Sequence, residues 1–181
     1  MKGASMSDTE IVSFLSSGHL EANDQIRMGG VSVGILELLE QDHATIMDHL
    51  DRICEGKDKD LAKLRPNFLL MQMMLVAHSL AEERAVYAKL KQNEKTFKLA
   101  LEAGGDHEMI SRLLEDLSGL DLAPDQWFTL ARSLRDLVQQ HVETEESEIF
   151  EQVRDQFDQA QQKVMAAEMR TEVNRILSTV A

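Results

Sequence analysis

Asp42-His43-x-x-Ile46 recurs 64 residues later as Asp106-His107-x-x-Ile110. His78-x-x-x-Glu82-Glu83 recurs 63 residues later as His141-x-x-x-Glu145-Glu146. An aromatic residue follows each of the latter histidines by nine positions, Tyr87 in one copy and Phe150 in the other. A chain that repeats itself at one offset is built from two copies of one supersecondary unit. His-x-x-x-Glu alone is a weak signal in a glutamate-rich chain. The matched offset, the shared Asp-His-x-x-Ile and the shared acidic pair make it informative.

The landmarks sit on apolar stripes of helical period. Leu36, Leu39, His43, Met47, Leu50 and Cys54 share one stripe of a helix over about 31–55. Leu64, Phe68, Met71, Leu75, His78, Glu82 and Ala85 share that of a second helix over about 60–91, which Pro66 should kink or shorten. Ala100, His107, Ile110, Leu114 and Leu117 belong to a third, about 96–117. A fourth starts near Pro124, well suited to a first helical position, with Trp127, Leu130, Leu134, Leu137, His141, Glu145 and Glu148 inward. Only 2 prolines and 9 glycines occur in 181 residues, too few breakers for the many turns of an all-β fold. The expected fold is all-α: an up-down-up-down four-helix bundle over 31–156, with an N-terminal arm (1–30) and a C-terminal helix (157–181). Ser7-Asp8-Thr9-Glu10 reads as the capping box of a short helix in the arm.

Height along the bundle follows from the rise of about 1.5 Å per residue. His43 and His78 lie 15 and 20 residues from a loop near 58, and His107 and His141 lie 14 and 20 from one near 121. All four histidines therefore reach one layer. Residues four apart share a helix face, so Glu82 and Glu145 point into that layer too. A buried ionised carboxylate costs several kcal/mol unless it is paired. The stripes offer no Lys or Arg at this height, which leaves protonated histidines or metal ions. Imidazole with carboxylate suits Fe, Zn, Mn or Cu. Four imidazoles and two carboxylates exceed the needs of one tetrahedral zinc. They suffice for two metals bridged by both glutamates, each with two terminal imidazoles and open positions.

These motifs resemble the hemerythrin-like, HHE cation-binding family over about residues 35–155. The resemblance implies a non-haem di-iron centre, oxo- or hydroxo-bridged, with other divalent metals as alternatives. His43, His78, Glu82, His107, His141 and Glu145 match the family's ligand positions. The resemblance also implies a small diatomic or peroxide ligand, and a role in binding dioxygen or a related oxidant or in sensing iron or redox state. Two departures stand out. Oxygen-carrying hemerythrins place a further histidine one turn after the third-helix ligand, where this chain has Ser111. They also place the last carboxylate five residues after its histidine, which would select Glu146. The missing histidine opens the coordination sphere and argues against simple reversible oxygen carriage. Alternatives are a di-iron enzyme or iron donor handling peroxide or nitric oxide, and a helical interaction module whose histidines are structural. A ferritin-like site needs Glu-x-x-His; only Glu40-x-x-His43 fits, since Leu75, Gly104 and Val138 stand before the other three histidines.

Glu83 and Glu146 are expected to face solvent or back up the ligands rather than bridge. His49 is expected at the surface, and His19 in the arm has no assigned role. Tyr87 reads either as a hydrogen-bond donor near the site or as packing, and packing is favoured because its counterpart Phe150 cannot donate. Met71, Met73 and Met74 read as core filling. Trp127 lies about 21 Å along the helix from His141, too far for a direct role. Gly104-Gly105 reads equally as a kink or helix start and as a helix-breaking loop.

The charge balance, 32 acidic against 19 basic residues and a net −13, argues against nucleic acid or an anionic membrane as partner. Phe68–Ala77 is the longest nearly unbroken apolar stretch, too short to span a bilayer. No apolar run follows Lys2, so no secretory signal is predicted. Cys54 alone forms no internal disulfide. A cytoplasmic location is the expectation, with no protein partner specified.

Overall fold

The computed structural model describes residues 33–55, 60–119 and 123–180, apart from the Val180 side chain. The arm and its capping box, and the two predicted loop centres, lie outside them. Among the described residues there are helices and no strands: α1 Ile35–Glu55, α2 Leu61–Glu82, a π-helical turn Glu83–Tyr87, α3 Ala88–Leu90, α4 Glu94–Gly119, α5 Pro124–Thr144, a second π-helical turn Glu145–Ile149, α6 Phe150–Gln156 and α7 Gln159–Val180. No helix among them is long and apolar enough to cross a membrane.

Helix starts follow local chemistry. α1 begins four residues later than expected, because the Gly34 N–H donates to Glu37 Oε2 at 2.6 Å and fixes the first turn there. Asp60 caps α2 by accepting from the Ala62 N–H at 3.0 Å. The helix therefore starts before Pro66 and runs through it. Asn93 accepts from the Lys95 N–H at 3.0 Å where α4 begins, and Thr96 Oγ1 donates to the Leu90 carbonyl at 2.7 Å. α4 continues without interruption through Gly104-Gly105, so the pair is neither a helix start nor a helix-breaking loop. After α6 the chain breaks at Phe157, which is extended. Asp158 and Gln161 then cap α7 reciprocally: Gln161 N–H donates to Asp158 Oδ1 at 2.8 Å and Asp158 N–H to Gln161 Oε1 at 2.9 Å.

The two π-helical turns match across the repeat and were not foreseen. In a continuous α-helix Tyr87, nine residues after His78, would point roughly 180° away from it. An i→i+5 turn accommodates one extra residue, which swings Tyr87 back by roughly 100°. Phe150 stands in the same relation to His141.

The core is in two parts. One cluster holds Ile46, Leu50, Phe68, Leu75, Ile110, Leu134 and Val138. Trp127 packs there with its Nε1–H donating to the Leu117 carbonyl, and Met71 is fully buried as expected. The other holds Leu39, Ala81, Tyr87, Leu90, Ala100, Ile149 and Phe150, and α7 adds Met165, Ala166 and Met169 to it. α7 thus folds back onto the bundle, with Glu168 meeting Lys89 and Glu172 meeting Arg84.

Candidate metal centre

Between the two clusters lies a layer of buried polar side chains. His43 sits between Leu39 and Ile46 on α1, and His78 and Glu82 sit between Leu75 and Ala85. His107 sits between Ala103 and Ile110 on α4, and His141 and Glu145 between Val138 and Ile149. Glu82 and Glu145 are 0% exposed, and no histidine of the four exceeds 6%. The structure brings together all six side chains that the sequence singled out.

Each imidazole presents Nε2 inward. His43 Nε2 is 3.2 Å from Glu145 Oε2 and His141 Nε2 is 3.4 Å from the same oxygen. His78 Nε2 and His107 Nε2 are each 3.6 Å from Glu82 Oε2. Each Nδ1 faces outward to another carboxylate. His43 Nδ1 pairs with Glu146 Oε1 at 2.9 Å and His78 Nδ1 with Asp42 Oδ2 at 3.4 Å. His107 Nδ1 is 3.6 Å from Glu83 Oε1, and His141 Nδ1 is 3.6 Å from Asp106 Oδ2. The two halves obey one rule: Asp42 and Asp106 serve the histidine of their own hairpin, while Glu83 and Glu146 serve one of the other. A carboxylate at Nδ1 favours the proton there and leaves the Nε2 lone pair for the interior.

The outer roles of Asp42 and Asp106 went unread in the sequence, although the repeated Asp-His dipeptide was their signal. Glu83 and Glu146 do back up histidines. Tyr87 packs in the core as favoured, and the donor reading holds as well: its buried hydroxyl donates to Glu145 Oε1, and its ring stacks on His107 at 5.4 Å. Phe150 stacks on His43 at 6.2 Å. The repeat extends one helical turn further, to Lys91 over the Tyr87 ring and Arg154 over the Phe150 ring, each 5.9 Å from the centroid. Lys91 also holds Glu83 Oε2 at 3.1 Å. His49 is half-buried and pairs with Asn67 Oδ1 at 2.7 Å, away from this layer.

Desolvation dominates the electrostatics. Burial pushes the Glu82 carboxyl up to about 8, reinforced by Glu145. Burial likewise pushes Glu145 up to about 8, with the neighbouring Glu82 opposing. Burial lowers His141 to about 2, and the other three histidines add to this. The His107 ring, helped by Lys91, holds Glu83 below the ordinary carboxylate range against its own desolvation.

Many inward atoms lack a hydrogen-bond partner: His43 Nε2, both Glu82 oxygens, His107 Nε2, His141 Nε2 and Glu145 Oε2. Buried polar atoms are normally satisfied, and cations satisfy donors of this kind. Ligand atoms of Glu82, His107, His141 and Glu145 lie within 4.8 Å of one another, as do those of His43, His78 and Glu145. The hemerythrin HHE cation-binding domain matches residues 34–153, well over half of the chain. The chain belongs to the hemerythrin HHE cation-binding family. No curated protein and no solved structure matched it. The hemerythrin fold is therefore present with a buried His/Glu cluster suited to a metal, typically iron in this family, and α7 lies beyond the matched segment.

Proposed function

We propose that this hemerythrin-family protein is a non-haem di-iron protein that binds dioxygen or a related small oxidant, or senses iron and redox state. His43, His78, His107 and His141 would hold the metals as terminal ligands, and Glu82 and Glu145 would be shared between them. The supporting observation is the convergence of six buried side chains, five of which (His43, Glu82, His107, His141 and Glu145) turn inward an atom with no hydrogen-bond partner in the protein. Two such ions supply one-electron exchange at each metal and open positions for a diatomic ligand or peroxide. The chain's own part is to hold four imidazoles with Nε2 inward, to keep water out with two apolar clusters, and to orient the His43 and His78 rings through hydrogen bonds to Glu146 and Asp42, with Glu83 and Asp106 close to the other two rings.

The test is elemental analysis after anaerobic reconstitution with ferrous iron, followed by rapid mixing of the reduced protein with dioxygen. About two irons per chain and a reversible spectral change support the reading. Iron near zero overturns it. Multiple turnovers of peroxide or nitric oxide would replace a carrier or sensor with an enzyme.

A further inference from the structure

One hydroxyl distinguishes the aromatic residues of the two halves of the centre. Tyr87 carries a hydroxyl that donates to Glu145 Oε1, and its repeat partner Phe150 has none. Glu82 keeps both oxygens without a hydrogen-bond partner, whereas Glu145 keeps only Oε2. Tyr87, itself 0% exposed, also lies nearly parallel to the His107 ring, 15° off. It therefore touches two members of the group Glu82, His107, His141 and Glu145. The group His43, His78 and Glu145 has one donor fewer, and its aromatic neighbour, Phe150, makes no hydrogen bond. The paired rings differ too: His107 and His141 centroids are 4.6 Å apart, His43 and His78 5.1 Å.

We propose that Tyr87 is a positioning residue that makes the two metal positions unequal. By fixing Glu145 and His107 before any cation arrives, it prepares the four-donor position. The first divalent cation enters between Glu82, His107, His141 and Glu145, and the second between His43, His78 and Glu145. The hydroxyl occupies Glu145 Oε1, so Glu145 contributes through Oε2 while Glu82 offers both oxygens. This rests on the cation-binding reading of the same side chains.

Zn2+, diamagnetic and redox-silent, is the probe. It is added stepwise to the metal-free full chain while histidine ring nitrogens are followed by NMR. The first equivalent is expected to move the Nε2 signals of His107 and His141, and the second those of His43 and His78. In Tyr87→Phe the first step weakens about tenfold, the low end for loss of a group that orients ligands, and the two pairs of signals then move together. Failure to bind Zn2+ overturns the cation-binding reading and this inference with it. Both pairs moving together in the unaltered chain overturns the inference alone. An unchanged order and affinity in Tyr87→Phe removes Tyr87 from it. If that variant does not fold, the order of filling in the unaltered chain remains decisive.

Discussion

The Glu83 carboxylate occupies the space that a side chain at position 104 would need. A Cβ on Gly104 would stand 2.6 Å from Glu83 Oε1, the oxygen facing His107 Nδ1, whereas a Cβ on Gly105 would meet nothing within 4 Å. Alanine in a helix interior is favoured over glycine by about 1 kcal/mol. Gly105→Ala should raise the stability of the metal-free protein by up to that amount and leave metal affinity alone. Gly104→Ala should gain less, because the carboxylate must move, and should weaken metal binding several-fold. Thermal melting with and without metal, together with chelator competition, checks both. Identical metal affinities for the two variants would refute the link from position 104 through Glu83 to His107.

Glu82→Gln keeps the shape of the side chain and removes its charge. Metal content should fall from about two per chain to one or fewer. The metal-free protein should be no less stable at pH 8 and above, since a buried carboxylate without a cation is a burden that the amide lacks. Elemental analysis and melting curves measure the two effects. Unchanged metal content would show that Glu82 does not bridge.

Acidity should act oppositely on the two kinds of buried group. Glu82 and Glu145 have folded values near 8 against an ordinary 4.5. Their contribution to metal-free stability is full below pH 4.5 and is lost as pH rises through 8. His141 sits near 2 against an ordinary 6.5, so its contribution is present above 6.5 and is lost as pH falls towards 2. With two carboxylates set against one histidine, the metal-free protein should melt highest near the lower of these ordinary values, about 4.5, and lose stability as pH rises further. Metal needs the deprotonated donors, so loading should move the optimum towards neutral and alkaline pH and release protons at pH 7. A metal-free melting temperature that climbs steadily from pH 6 to 8 would contradict this.

α7 should contribute through packing rather than through its ion pairs. Met169 is 0% exposed in the cluster that includes Tyr87, so Met169→Ala should cost about 2–5 kcal/mol. Arg84→Ala should cost at most about 1 kcal/mol, because the arginine that meets Glu172 is largely exposed. Denaturant unfolding measures both, and a larger loss for Arg84→Ala would reverse the assignment.

The bundle and the meeting of six side chains were legible because a helix fixes both height and facing, and the repeat supplied the same heights twice. The outer carboxylates were harder. Asp42 and Asp106 stand beside a histidine in the sequence, yet each faces the histidine of the neighbouring helix, which depends on how two helices dock. The hydrogen bond of Tyr87 was ranked second because the duplication itself suggested equivalence with Phe150, and because no local signature announced the π-helical turns that swing both rings inward. Gly104 and Gly105 looked alike in sequence. Only the approach of Glu83, from the π-helical turn that follows α2, separates them. The start of α7 was legible in principle, since Asp158-x-x-Gln161 is a capping pair, but where that helix docks rests on contacts distant along the chain.

The polar layer gives this bundle a waist. Greasy packing above and below it is continuous only within each half, and the helices cross between the halves as four bare struts around a ring of unsatisfied donors. Cations there would act as mortar as well as reagents. A chain stripped of metal should breathe first at mid-height, with backbone amides beside His78 and His141 exchanging ahead of those at either end of the same helices.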